Sequence, residues 1–197
     1  MENNEQEKSN KIRIKRLKHK EKTRKERADE VSESWFAYWR ANPHRFITDY
    51  LGLVLYDFQK ILIYAMNFYT YFIFVASRGL AKSTLTLLFC IQRAILYPGQ
   101  KILVVCPVKS QSRNFIKKIY DFISKSPNLA REIDVANIKT GLNESEIPFF
   151  NGSKIFTTVY GENALGKLNA QNYSNIICNI GEEIWKAEML IRVEVYI

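Results

Sequence analysis

Nine consecutive residues concentrate the chemistry this sequence offers: Ala76-Ser77-Arg78-Gly79-Leu80-Ala81-Lys82-Ser83-Thr84. A lysine followed by two hydroxyl side chains, directly after a turn of small residues, suits the binding of a polyphosphate. Backbone N–H groups wrap such an anion, and the start of the following helix adds partial positive charge. Lys82 would reach the β- and γ-phosphates of a nucleotide, and the Ser83 hydroxyl would hold Mg2+. The bland alternative is an ordinary strand-to-helix connection with a surface lysine. The common form of the loop has glycine at both ends, where this chain has Ala76 and Ala81. Alanine disfavours positive φ, so the loop is expected to avoid the left-handed region at both positions.

The elements around the loop must hold it between a buried strand and a helix. Tyr71-Phe72-Ile73-Phe74-Val75 is nearly continuous in apolar residues, as a central parallel strand covered on both faces would be. A turn over Ala76 to Ala81 leads into a helix from about Lys82 to Tyr97, closed by Pro98-Gly99. Upstream, Trp35, Phe36, Tyr38 and Trp39 open an aromatic helix that should end before Pro43. Phe46, Ile47, Tyr50 and Leu51 continue at helical spacing to Gly52. A further helix, Tyr56 to about Asn67, carries Phe58, Ile61, Leu62, Ala65 and Met66 on one stripe. Downstream, Lys101 to Cys106 reads as a second buried strand. Ser110 to Ser124 reads as an amphipathic helix with Phe115, Ile116, Ile119 and Ile123 inward. Ile147 to Phe150 and Lys154 to Val159 flank Asn151-Gly152, the strongest short hairpin signal. Asn175-Ile176-Ile177-Cys178 reads as another central strand. This alternation implies an α/β domain with a largely parallel sheet.

The loop Arg78-Gly79-Leu80-Ala81-Lys82-Ser83 resembles the deviant Walker A loop of phage terminase large subunits. That family often carries an arginine inside the loop and tolerates alanine before the lysine. The likeness extends upstream to Ala41-Asn42-Pro43-His44-Arg45-Phe46 and Leu55-Tyr56-Asp57-Phe58-Gln59-Lys60. Downstream it takes in Leu96-Tyr97-Pro98-Gly99, Ser126-Pro127-Asn128-Leu129-Ala130-Arg131-Glu132 and Asn151-Gly152-Ser153, so that it covers roughly Trp35 to Cys178. The resemblance implies a P-loop NTPase of the ASCE, helicase-like kind, with a mainly parallel central sheet flanked by helices and ATP with Mg2+ as its ligands. It implies that the segment from Ser77 to Thr84 cradles the phosphates, that Gln59 reads the adenine edge, and that Arg78 acts on or senses the γ-phosphate. It further implies double-stranded DNA as partner, with the portal protein and the terminase small subunit, and a homo-oligomer on the portal.

A P-loop ATPase of this kind also needs Asp for Mg2+ and Glu for the attacking water at the end of a buried strand. After Ile176-Ile177-Cys178 the chain reads Asn179-Ile180-Gly181-Glu182-Glu183, with Asn179 in the position expected for Asp. An amide oxygen can still meet a metal, without the charge that helps to neutralise phosphates. Glu182 and Glu183 would serve as the catalytic acids only if the chain bulges at Gly181. The other account is a departure from the family frame after Cys178, through a frameshift or a degraded prophage gene. The chain would then be a fragment with impaired hydrolysis, lacking the nuclease domain. A helicase-like P-loop ATPase and a non-catalytic remnant that binds nucleotide or DNA remain as alternatives.

Of the formal net charge of +9 on 197 residues, nearly all arises between Lys11 and Arg27, where ten bases face two acids. Residues 1–30 are therefore expected to form a basic helical or disordered arm, for DNA phosphates or an acidic partner, or simply a solvated helix. Residues 31–197 are expected to form the ATPase domain, incomplete at its C-terminus. Hydrophobic residues make up 47% of the chain, enough for a sizeable core. Cys90, Cys106 and Cys178 sit in apolar runs without metal-like spacing, as buried residues of a reducing cytoplasm would. No run approaches the roughly 18 apolar residues of a membrane span, so the bacterial host cytoplasm is the expected location. His19 and His44, the only two histidines, are not spaced as a metal pair.

Overall fold

The computed structural model describes residues 24–75, 79–141, 144–160 and 173–178, without the side chains of 24–29 and 178. Helix α1, Arg24–Ala41, begins well before the aromatic residues, so the compositional shift near residue 31 falls inside it. Contacts divide the chain into one unit ending at Tyr38 and a second beginning at Trp39. In the first, Trp35 and Tyr38 meet edge to face with ring centres 5.9 Å apart.

The second unit opens with an aromatic cluster. Trp39 contacts the rings of Phe46 and Tyr50 at 5.6 and 5.1 Å. Pro43 starts the short α2, Pro43–Arg45, where a missing N–H costs nothing. A π-helical turn, Phe46–Tyr50, follows and buries Phe46 and Ile47. Gly52, at φ 69°, then allows the chain to leave the helical path.

Helix α3 spans Asp57–Phe68, and its buried face differs from the expected stripe. Gln59 and Ile63 are buried, whereas Phe58 and Ile61 are 41% and 69% exposed. Apolar content placed the stripe, but the position of α4 selects the face. Asn67 donates to Gln92 Oε1 across the two helices at 2.8 Å. Helix α4 itself, Lys82–Leu96, is buried at Leu85 and at every position from Leu87 to Leu96, as a helix covered on all sides must be.

Among the described residues the sheet has five strands in the order β2-β3-β4-β1-β5. Strand β1, Lys101–Cys106, runs parallel to β4, Lys154–Val159, on one side and to β5, Asn175–Cys178, on the other. Strand β3, Glu144–Pro148, pairs antiparallel with β4, and the two-residue β2, Lys139–Thr140, pairs antiparallel with β3. The sheet is thus a parallel core extended by an antiparallel edge, flanked by helices in an α/β fold. Residues Ile102 to Cys106 are all buried, which accounts for the unbroken apolar sequence of β1. Between β3 and β4, Gly152 stands at φ 84° in the turn that Asn-Gly predicted.

Two helices complete this unit. Helix α5, Lys109–Lys125, buries Phe115, Ile116 and Ile119 as its periodicity requires, with Ile123 half-buried. Its Ser112 hydroxyl meets Thr157 of β4 at 2.8 Å, so the buried hydroxyls satisfy each other. Helix α6, Pro127–Glu132, is capped by the Ser126 hydroxyl, which accepts from Leu129 N at 3.3 Å.

One expected strand is absent. Tyr71–Val75 joins no ladder of the sheet among the described residues. Tyr71, Ile73 and Val75 are 56%, 68% and 74% exposed, while Phe72 and Phe74 are half-buried. Aromatic and β-branched residues favour a pleated, half-buried surface, but a ladder needs a neighbouring edge, which composition does not report. Cys90 and Cys106 are buried, and burial pushes the Cys90 thiol pKa up. Among the described residues no helix is long and apolar enough to cross a membrane.

Candidate functional site

Of the nine residues Ala76 to Thr84, the structure describes Gly79 to Thr84. Gly79 stands at φ 88°, and a Cβ there would meet nothing within 4 Å. Backbone conformation, not crowding, therefore calls for glycine. Ala81 stands at φ 55°, ψ 24°, in the left-handed region it was expected to avoid. Its carbonyl accepts from Thr84 N at 3.0 Å and Leu85 N at 2.9 Å, starting α4. Those bonds outweigh the roughly 1–2 kcal/mol that an L-residue loses in this conformation. Alanine therefore occupies the loop end with the backbone form that glycine would supply.

Lys82, Ser83 and Thr84 form the first turn of α4, and all three are half-buried. The Thr86 hydroxyl donates to Lys82 O at 3.1 Å, tying the second turn back to the first. The turn holds no acidic residue and no side-chain cap, although acids favour the positive end of a helix dipole. Leu80 is 42% exposed. Lys118 of α5 donates to Thr84 Oγ1 at 3.4 Å. This lysine has no signature in the sequence, because it lies 34 residues away on a separate helix.

Gln59 has a structural task. Its Oε1 accepts from Tyr56 N at 3.0 Å, as the returning half of a capping box at the start of α3. One lone pair of its oxygen is thus engaged, which leaves the amide NH2 and the second lone pair for any contact with a base. Ala76, Ser77 and Arg78 lie outside the described residues, as do Asn179, Glu182 and Glu183.

The donor set fits a polyphosphate: a lysine, two hydroxyls and a helix start whose own first turn carries no acid. For Mg2+, Ser83 is the only one of the expected ligands that is described, so phosphate oxygens and water would supply most of the shell. Among the described residues no group of three His, Cys, Asp or Glu side chains could hold a metal ion by itself.

The far end of α4 is held by a separate set of contacts. Asn151 Nδ2 donates to Ala94 O at 2.8 Å and Ile95 O at 3.2 Å, and Arg40 donates twice to Leu96 O, at 2.9 and 2.8 Å. Arg93 lies over the Tyr97 ring at 4.2 Å. The helix that carries Lys82 and Ser83 is thus anchored away from its loop.

No protein-family model matches the chain. No curated protein matches it either. Among solved structures it is similar to the large terminase ATPase domain of Thermus phage P74-26, with 12% identity and a TM-score of 0.44. The match covers 66% of this chain and 55% of that one, so the chain spans about half the length of that domain.

Proposed function

We propose that this chain binds ATP as a P-loop motor domain of the phage terminase large-subunit kind, which in its full assembly drives double-stranded DNA into a capsid. The observation that carries the reading is the tight turn from Gly79 through a left-handed Ala81 into a first turn bearing Lys82, Ser83 and Thr84. In it, Lys82 meets the β- and γ-phosphates and Ser83 holds Mg2+, which would neutralise phosphate charge. Gln59 offers its amide NH2 to adenine, and Arg78 responds to the γ-phosphate. The basic arm of residues 1–30 grips DNA phosphates, and the portal protein, the small subunit and further copies of the chain are the assembly partners.

Titration calorimetry with ATP and Mg2+ tests this on the full chain. Wild type should bind, and Lys82→Ala should lose binding while its circular dichroism stays unchanged. Retained affinity in Lys82→Ala would sink the proposal. A second reading, nucleotide binding without turnover, is favoured by Asn179 in the position where the resemblance expects Asp. Phosphate release above background in the same samples would remove it.

A further inference from the structure

We propose that the outer face of α5 is a contact surface for the sugar-phosphate backbone of DNA, carried by Lys109, Arg113 and Lys117; the choice of double-stranded DNA rests on the reading above. The three bases stand four residues apart, on successive turns of one helix, and all are exposed. The opposite face buries Ser112, Phe115, Ile116 and Ile119, so packing fixes which side looks outward. Tyr120, 43% exposed, continues the stripe.

The charge pattern is not that of an ordinary solvated helix. Such a helix places opposite charges four residues apart, which stabilises it. Here Lys109–Arg113 and Arg113–Lys117 are like-charge pairs at that spacing, and each weakens the helix. The helix holds five bases and one acid, Asp121. Asp121 follows Lys117 by four residues, in the order that gives the weaker support. Lys109 also occupies the first turn, where the helix dipole disfavours a cation and no acid is present. Among the described residues, ion pairs form at Arg45, Lys60, Lys139 and Lys154, but at none of these three bases.

A polyanion laid along the face turns each of these costs into attraction. The stripe from Lys109 to Lys117 rises about 12 Å along the helix. A DNA strand advances roughly 3.4 Å per phosphate, so one strand offers each base its own phosphate over that length. The exposed Tyr120 hydroxyl can donate to the same backbone. Helix α5 is bonded to β4 through Ser112 and Thr157, so the contact would sit on a fixed element of the folded unit.

The test is fluorescence anisotropy of a labelled mixed-sequence duplex with the full chain, across a salt series. Wild type is compared with the triple variant Lys109→Gln, Arg113→Gln, Lys117→Gln. A control, Arg45→Gln, Lys101→Gln, Arg131→Gln, removes the same charge from other exposed positions. Each phosphate contact contributes about 0.9 to the slope of log affinity against log salt. The stripe variant should therefore lose roughly two to three from that slope, and the control less than about one. Lys109→Arg with Lys117→Arg should keep the wild-type slope. Because the three bases are exposed and repel one another, the glutamine variant should not lower the urea midpoint. A wild-type slope in the stripe variant, or equal losses in stripe and control, would overturn the inference. So would stripe-dependent binding of polyglutamate without stripe-dependent binding of DNA, which would assign the face to an acidic protein. ATP binding that survives any of these outcomes leaves the nucleotide reading intact, and a wild type that binds ATP but no duplex overturns the DNA contact alone.

Discussion

Ala81 and His44 are the residues whose local chemistry makes the clearest demands. At φ 55° an alanine sacrifices about 1–2 kcal/mol, while glycine there would bring roughly 0.5–1 kcal/mol of extra chain entropy to be lost. Ala81→Gly is therefore expected to stabilise the fold by about 0.5–1 kcal/mol, read as a higher urea midpoint at unchanged slope. A lower midpoint would mean that Ala81 is not left-handed in solution. His44 is governed by burial first. Its pKa is lowered by desolvation, then by the Arg45 and Lys60 charges, against a smaller opposing effect from Asp49. Its Nδ1 is buried without a hydrogen-bond partner. The unfolded chain therefore binds a proton near pH 6.5 that the folded chain resists. The contribution is present above that value and lost as pH falls. Between about pH 7.5 and 5.5 the wild type should lose more stability than His44→Gln in urea titrations. Equal losses would show that His44 is not the group responsible. The motif residues were legible from their types and order, whereas the conformation of Ala81 was not, because helix-starting bonds override a single-residue preference.

At the scale of elements, helix α3 separates composition from packing. Ile61 and Ile63 are the same residue type two positions apart, yet Ile61 is 69% exposed and Ile63 fully buried. Ile63→Ala should cost about 2–4 kcal/mol, and Ile61→Ala no more than about 0.5 kcal/mol. Comparable costs in thermal or urea unfolding would restore the stripe expected from sequence. The hairpin shows the opposite balance. Asn151-Gly152 announced the turn, and Gly152 has the positive φ it requires. The amide of Asn151 nevertheless also bonds Ala94 O and Ile95 O of α4, more than 50 residues away in the chain. Local sequence predicted α4 from its flanking turns, α5 from its amphipathic spacing, β1 from an unbroken apolar run and the β3–β4 hairpin from Asn151-Gly152. Tyr71–Val75 failed because strand status depends on a partner edge.

For the molecule as a whole, the stretch from Val54 to Val75 carries an unusual load of exposed apolar side chains. Val54 is 93% exposed, Phe68 70%, Ile73 68% and Val75 74%. Strand β5 has one described neighbour, β1, and so ends the sheet among the described residues. Exposed apolar surface and free strand edges both favour association. Sedimentation velocity should show concentration-dependent association that weakens in the double variant Ile61→Lys, Ile73→Lys. A wild type that stays monomeric at all concentrations would contradict this.

The sequence by itself determined the α/β class, the hairpin, the order of the main helices and strands, and the residue types gathered after Gly79. These follow from local backbone preference and from the periods of 3.6 and 2 that one buried face imposes. Only the tertiary structure decided which face of α3 is buried, that the hairpin joins β1 through a parallel β4 and is extended at its edge by β2, and that Tyr71–Val75 joins no ladder among the described residues. It alone brought Lys118 to Thr84 and set Gln59 as a cap. Each of these depends on a surface contributed by a distant part of the chain, which no local pattern encodes.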